Sequence, residues 1–282
     1  MIQLEALNDA APAAFSAALD GIFEHAPWVA ERTARGATGP FPSLAALHGA
    51  LMATVEAASP DEFTAFLNAH PELSSSAVPA DLTPDSTAEQ AGLSMAGAAG
   101  AADLPTLNRA YRERCGFPFI ICVARHTPEN ILRRLAARLA TDPASERAAT
   151  LDEIRHITLL RLLARVAGPG AQPTTGHLST HVLDASIGRP AAGLAVTLLQ
   201  EGRPVCTTAT NDDGRTPPLL PAGPLRQGRY TLTFDTGPYF ARQAQPVFFG
   251  KIPVPFAITE SEGRYHIPLL LTPFSYSSYR GS

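Results

Sequence analysis

The chain has 282 residues, 45% of them hydrophobic, which is enough for two domains that each bury a core. Its formal net charge of -4 gives no electrostatic reason to expect nucleic acid or an anionic membrane surface as a partner. The three cysteines form no Cys-x-x-Cys pair and predict neither a disulfide framework nor a zinc site, while the lack of a signal-like start and of any apolar run near the ~20 residues of a membrane span predicts a cytoplasmic protein.

Residues 1–167 have the periodicity and punctuation of helices. Pro60 is followed by two acidic residues, which complement the dipole of a helix that starts there. Residues 129–139 place leucine and isoleucine on one helical face and arginine on the other, and residues 152–166 repeat this pattern. This half is therefore predicted to be an all-α domain.

The pattern changes after a Gly-, Pro- and Thr-rich stretch at residues 168–176, which we interpret as a linker. From residue 177 to 282 apolar and polar residues alternate between Gly and Pro turns, and strands are predicted at 178–184, 193–199 and 229–235. Several short strands at this spacing predict a β-sandwich, and so an all-β domain.

Three side chains in the second half have the chemistry of a hydrolytic site. His181 is predicted to lie mid-strand, Arg215 follows an Asn-Asp-Asp-Gly turn, and His266 opens the last predicted strand. Taken singly, each is more often structural or solvated than catalytic. Together, a histidine can activate water near neutral pH, and a fixed cation can hold an electron-rich ring and its developing oxyanion.

Four blocks in this half, residues 178–184, 210–215, 266–271 and the terminal Tyr-Arg-Gly-Ser at 279–282, resemble in order the signatures of the 5-hydroxyisourate hydrolases. The resemblance implies a transthyretin-like sandwich that assembles as a homotetramer, with active sites at a subunit interface and no metal. It implies a catalytic set of four residues, which are His181, Arg215, His266 and Ser282. It also implies two substrate contacts, Tyr279 and Arg280. The segment at 248–256 departs from the family pattern, because its two prolines cannot donate ladder hydrogen bonds and favour an edge strand.

The first half offers a histidine, a glutamate and an arginine. His70 closes an apolar helix, where a cation would also be favourable for structural reasons. Glu89 stands three residues after Ser86, as in a capping box, so its role is open between capping and chemistry. Arg161 shares a helical stripe with isoleucines, and a buried guanidinium needs an anion such as a substrate carboxylate.

Residues 23–30, 69–73, 86–90 and 111–120 resemble, in order, the motifs of the 2-oxo-4-hydroxy-4-carboxy-5-ureidoimidazoline (OHCU) decarboxylases. The resemblance implies a helical, usually dimeric enzyme that uses no cofactor. It implies catalytic roles for His70, Glu89 and Arg161 and substrate contacts at Ser86, Gln90, Phe119 and Ile120. Residues 74–78 lack the basic residue that the family often has there.

The two families catalyse consecutive steps, hydrolysis of 5-hydroxyisourate to OHCU and decarboxylation of OHCU to (S)-allantoin. A fusion of them predicts a bifunctional enzyme of urate degradation that acts on small molecules as a homo-oligomer, a dimer or a tetramer. The alternative is that only one half is catalytic and the other is a scaffold or a transthyretin-like ligand-binding module.

Overall fold

The computed structural model describes residues 1–74, 85, 98, 100–171 and 174–281. The chain divides into two compact units. One consists of Met1–Ala124 and Ile131–Pro173, and the other of Arg125–Asn130 and Thr174–Ser282. In the described part of the chain no helix is both long and apolar enough to cross a membrane.

Helices dominate the described residues up to residue 165, as the periodicity predicts. They are α1 Leu4–Asn8, α2 Pro12–Ala18, α3 Pro27–Gly36, α4 Leu44–Glu56, α5 Pro60–Asn68, α6 Leu104–Cys115, α7 Pro128–Arg138 and α8 Pro143–Arg165, with 3-10 turns at Ala101–Asp103 and Val123–Arg125. Helix α5 begins at the predicted proline, where Ser59 and Glu62 form a capping box. Helix α8 begins earlier than the periodicity indicates, because Asp142 caps it by accepting from the backbone N–H groups of Ala144 and Ser145.

The core of the helical unit is built by apolar faces that the sequence predicts. Leu47 and Leu51 of α4 are fully buried and pack in one cluster with Phe66 of α5 and with Ile154 and Leu162 of α8. A second cluster contains the apolar face of α7, which is Ile131, Leu132 and Leu135. The first cluster fixes α5 and α8, the helices that bring His70 and Arg161 into the unit.

A short parallel strand pair closes the helical unit. Strand β1, Ile2–Gln3, pairs with β2, Val166–Ala167, directly after α8. Gly168 then lies so close to Leu4 that an added Cβ would be 2.7 Å from the Leu4 Cβ. The backbone oxygen of Pro169 accepts a hydrogen bond from the N–H of Leu44. The first residues of the predicted linker are therefore packed against the helical unit.

The second unit is a β-sandwich. Its strands are β3 His177–Ser179, β4 Val182–Asp184, β5 Arg189–Pro190, β6 Ala195–Gln200, β7 Arg203–Ala209, β8 Gly228–Asp235, β9 Lys251–Ile258, β10 Arg264–His266, β11 Leu269–Leu271 and β12 Tyr276–Ser278, and helix α9, Thr236–Ala241, follows β8. One sheet has the order β12-β11-β4-β5, the other has β7-β6-β8-β9, and β10 pairs with β3. Buried residues of both sheets, such as Val182 and Leu269 on one and Leu198 and Phe234 on the other, form one core.

Two predicted strands are each interrupted at the same place. The N–H of Ile267 bonds to the oxygen of Ser179 and the N–H of Leu269 to that of His181, while the oxygen of Ile267 accepts a hydrogen bond from the side-chain hydroxyl of Thr180. A side chain thus takes part in the pairing at this point, and the strand pair is irregular there. His181 lies in the gap between β3 and β4, not in mid-strand, and His266 ends β10 instead of opening a long strand.

Strand β9 is an edge strand, as its prolines predict. Among the described strands it pairs with β8 alone, with Pro253 opposite Thr233 and Pro255 opposite Thr231. Prolines are tolerated at an edge because the missing N–H has no second strand to bind.

Candidate active sites

His70 lies just beyond the end of α5, where its imidazole ring contacts Phe66 in two ways. Its Nδ1 lies 3.0 Å from the backbone oxygen of Phe66, and the two rings meet edge to face at 4.9 Å. A carbonyl oxygen can only accept, so Nδ1 carries the proton and Nε2 of the neutral ring has a free lone pair. Burial lowers the pKa of His70 to about 4, so the ring is neutral at pH 7. Its structural contact at the helix end and a role as a base are thus compatible.

Arg161 on α8 is buried, as its helical stripe predicts, and its anion is a protein group. The guanidinium Nη1 lies 2.9 Å from Oε2 of Glu24 and 3.1 Å from the backbone oxygen of Gly21. The side chains of Arg161 and Glu24 are 5% and 1% exposed, so both charges are removed from water. The expectation that a substrate carboxylate serves as the counter-ion is therefore incomplete, because Glu24 already lies against this guanidinium.

Glu24 and His25 are residues of this region that the sequence reasoning did not single out. The charges of Glu24, Arg161 and His25 all act on the pKa of His70, so the four groups form one electrostatic cluster. His25 is half-exposed, its Nε2 is 3.7 Å from Oε1 of Glu24, and its backbone φ is 47°, in the left-handed region. A signal was present in the sequence, because Glu24 directly follows the apolar pair Ile22 and Phe23, and a carboxylate carried into a core needs a partner.

Phe119 and Ile120 lie in the extended segment after α6. The Ile120 side chain joins the core cluster that contains Phe66 and Leu162. Its backbone oxygen accepts a hydrogen bond of 2.9 Å from Nη1 of Arg138, and the same guanidinium lies 4.6 Å from the centre of the Phe119 ring. The segment is therefore fixed by a buried arginine. Three other predicted residues of this half, Ser86, Glu89 and Gln90, lie outside the described residues.

In the β unit, His181 and Arg215 are brought together by a tight turn. They form an isolated antiparallel bridge, and Asn211 closes the turn by accepting from the N–H of Arg215 at 2.9 Å. Gly214 in this turn has a φ of 72°, and a Cβ there would collide with the backbone oxygen of Val182 and approach the His181 ring to 3.3 Å. Only glycine fits this position, which lets the turn bring the exposed Arg215 next to His181.

His266 belongs to the same cluster. Burial, followed by the nearby charges of Arg215 and His181, lowers its pKa below the ordinary value, so the ring is neutral at pH 7. Its Nδ1 lies 2.9 Å from Oγ of Ser179, a hydrogen bond that orients the ring and leaves Nε2 for chemistry. Ser179 was not singled out from the sequence, although it lies two residues before His181.

The end of the chain is docked, as its sequence indicates. Strand β12 pairs with β11, and the N–H of Gly281 bonds to the backbone oxygen of His266 at 2.8 Å. The Arg280 guanidinium lies 5.1 Å from the centre of the Tyr265 ring, and Tyr279 is exposed. The backbone at Gly281 therefore lies beside His266, while the Arg280 side chain contacts Tyr265, and the substrate contacts predicted for Tyr279 and Arg280 stay predictions. Ser282 lies outside the described residues.

Within the described ranges, no three His, Cys, Asp or Glu side chains are grouped so that they could hold a metal ion. The chemistry that the two clusters offer is that of neutral imidazoles beside arginines.

Comparisons with known proteins match a different family to each half of the chain. The family model described as OHCU decarboxylase matches residues 8–163, and the one described as HIUase/Transthyretin family matches residues 178–281. The 5-hydroxyisourate hydrolase of Deinococcus radiodurans is 45% identical over 118 residues, which are 38% of this chain and 99% of that protein. That of Mus musculus is 42% identical over 111 residues, which are 37% of this chain and 94% of that protein.

A crystal structure of (S)-allantoin synthase matches the whole chain. It covers 100% of both chains with 31% sequence identity and a TM-score of 0.51. The chain belongs to the OHCU decarboxylase and HIUase/transthyretin families. The predicted fold classes, an all-α half and a transthyretin-like β half, are therefore confirmed. In the OHCU decarboxylase half, His70 and Arg161 lie in the Glu24 cluster, and in the HIUase half His181, Arg215 and His266 lie together.

Proposed function

We propose that the protein catalyses two consecutive steps of urate degradation. The β half hydrolyses 5-hydroxyisourate to OHCU, and the helical half decarboxylates OHCU to (S)-allantoin. The observation that carries this conclusion is the end-to-end likeness to (S)-allantoin synthase, together with the presence on one chain of an OHCU decarboxylase match at residues 8–163 and an HIUase/transthyretin match at residues 178–281. Each half also has its own cluster of a neutral histidine and an arginine.

In the hydrolase half, we assign His266 and His181 to water activation and proton relay. The free Nε2 of His266 takes a proton from water as the water oxygen attacks the ring carbonyl carbon. The exposed Arg215 stabilises the oxyanion that develops there. The carbon–nitrogen bond then breaks, and an imidazolium returns the proton to the departing nitrogen. Tyr279, Arg280 and Ser282 are proposed to bind the substrate at the docked end of the chain.

In the decarboxylase half, we assign the proton transfers to His70. The reacting carbon of OHCU carries a hydroxyl and a carboxylate, so loss of CO₂ leaves the electron pair of the broken bond in an enol-like ring. Nε2 of His70 can accept the hydroxyl proton and deliver it to the neighbouring ring carbon from one face, and the ring, which the loss of neutral CO₂ leaves with one negative charge, takes up one proton from solvent. Delivery from one face gives one enantiomer. Arg161 is proposed to bind the carboxylate, Glu89 to orient the imidazole, and Ser86, Gln90, Phe119 and Ile120 to contact the ring.

Both steps can be tested in one reaction. Urate and urate oxidase generate 5-hydroxyisourate in situ, and ultraviolet absorbance and circular dichroism are followed together after the protein is added. Faster decay of 5-hydroxyisourate with accumulation of (S)-allantoin is expected. If OHCU accumulates and then decays only at its spontaneous rate, only the β half is catalytic. If the protein accelerates neither step, both assignments are refuted.

Point variants test which half performs which step. His70→Ala is expected to abolish decarboxylation and to leave hydrolysis unchanged, whereas His266→Ala is expected to do the reverse. His156→Ala on α8, a histidine paired with Asp152, serves as the control and is expected to keep the two activities. Loss of both steps in either active-site variant would contradict the assignment of one step to each half.

The proposal extends to assembly and location. We propose a homo-oligomer, a dimer or a tetramer, which light scattering of the purified full chain measures. A cytoplasmic location is proposed because the sequence has three cysteines, an odd number, and no Cys-x-x-Cys pair, which fits a reducing compartment.

A further inference from the structure

Glu24 is a buried carboxylate that the roles described above do not use. It is 1% exposed, and it lies against the guanidinium that is proposed to bind the substrate carboxylate. A buried ion pair costs desolvation energy and does not by itself stabilise a fold more than apolar residues would. Its presence at this position therefore calls for an explanation from the reaction.

The reaction supplies such an explanation, because the negative charge of the substrate carboxylate beside the arginine disappears as decarboxylation proceeds. Carbon dioxide is neutral, so a cation that attracts the departing carboxylate stabilises the ground state more than the transition state. Interactions that are stronger in the ground state lower both KM and kcat. An arginine with a full uncompensated charge in a dry site would retard decarboxylation in this way.

We propose that Glu24 is a positioning residue of the decarboxylase half that fixes the guanidinium of Arg161 and offsets its charge, so that the substrate carboxylate is held without being trapped. This inference rests on the proposed decarboxylase function. The hydrogen bond from Nη1 of Arg161 to Oε2 of Glu24, and a second one from Nη1 to the Gly21 oxygen, hold one edge of the guanidinium. The pair is close to neutral as a unit.

The same carboxylate acts on His70. Burial is the main cause that lowers the pKa of His70 to about 4, the charges of Arg161 and His25 lower it further, and the charge of Glu24 raises it. Removing the charge of Glu24 must therefore lower the pKa of His70. Because the neutral ring is the reactive form, the acid limb of the decarboxylation pH profile must move to lower pH.

The test is Glu24→Gln in the full-length protein, which keeps the shape and removes the charge. We expect both KM and kcat for OHCU to fall, KM by about tenfold, the effect of one close buried charge. The acid limb is expected to move to lower pH. The matched control is Glu56→Gln, which removes the carboxylate of an exposed pair with Arg155, 2.7 Å apart, and is expected to change none of these quantities. An unchanged or raised KM, or an acid limb that does not move, would overturn the proposal.

Glu24→Asp keeps the charge and shortens the side chain, so it is expected to retain the KM and the acid limb of the wild type with a lower kcat. It keeps the proposal testable if Glu24→Gln does not retain the helical circular dichroism of the wild type. A KM for Glu24→Asp that differs from wild type by tenfold would then count against charge compensation.

A binding measurement separates this inference from the proposed activity. Hydantoin-5-acetic acid, an anionic ring probe, and its neutral amide are titrated calorimetrically into the wild type and Glu24→Gln. The variant is expected to bind the acid about tenfold more tightly and the amide with unchanged affinity. Equal changes in affinity for both probes would refute charge compensation. If instead the variant binds only the acid more tightly, but the wild type does not decarboxylate OHCU, the proposed activity alone is refuted.

Discussion

Gly281 offers a sharp test of the hydrolase cluster, because its place beside His266 leaves no room for a side chain. A Cβ at this position would lie 2.5 Å from Cδ2, 3.2 Å from Cγ and 3.3 Å from Cβ of His266. Carbon atoms in contact are about 3.5–4.0 Å apart. In Gly281→Ala, the imidazole or the docked end of the chain must therefore move by about 1 Å, and a displacement of that size can cost about a hundredfold in rate.

The assay is the decay of 5-hydroxyisourate, and the fusion carries its own internal control. Gly281→Ala is expected to lose about a hundredfold of the hydrolase rate. Decarboxylation of OHCU, supplied by a separate 5-hydroxyisourate hydrolase, is expected to remain at the wild-type rate. Gly250→Ala is the matched control in the same unit, because a Cβ there meets nothing within 4 Å. Full hydrolase activity in Gly281→Ala would refute the placement of the reacting imidazole against the end of the chain.

Three further predictions concern a half-buried hydrogen bond, two buried histidines and a buried ion pair. Ser179→Ala removes the hydrogen bond that orients the hydrolase imidazole and is expected to lower the hydrolysis rate about tenfold without changing decarboxylation, as measured in the two assays above. Burial lowers the pKa of His48 and of His70 to about 4, so the unfolded chain binds protons first as the pH falls below 6.5. Urea titrations of the full chain from pH 7 to 4 are therefore expected to show the free energy of unfolding of the helical unit falling by up to about 3 kcal/mol for each histidine, and no fall would contradict their burial as neutral rings. Glu146→Gln leaves the buried guanidinium of Arg138 without its carboxylate and is expected to cost the same unit about 3 kcal/mol in a urea titration at pH 7, whereas a cost near zero would show that the pair is not buried in solution.

The sequence was sufficient where the information is local or periodic. The buried face of α7 follows from apolar spacing, the start of α5 from a proline and two acidic residues, and the edge position of β9 from its two prolines. The two enzyme families follow from motifs spread along each half, and the comparisons confirm them.

Sequence reasoning was insufficient where a partner is distant along the chain. Glu24 and Arg161 are 137 residues apart, and no periodicity connects them. The gap at His181 lies where the Thr180 hydroxyl bonds to the oxygen of Ile267, 87 residues further along the chain, so alternation around the histidine could not reveal it. The roles of all the site residues remain predictions, and residues 86, 89, 90 and 282 also lie outside the described part of the chain.

The β1–β2 pair has a consequence for how this chain can be rearranged. Ile2 lies opposite Val166 and Gln3 opposite Ala167, so the first strand of the helical unit lies directly beside the strand that follows its last helix. Because the two strands are parallel, a connector from the end of β2 to the start of β1 must run back along the pair, and such crossovers take about a dozen residues or more. A circular permutation of the helical unit would therefore need a connector of about that length, with new ends opened in a surface loop.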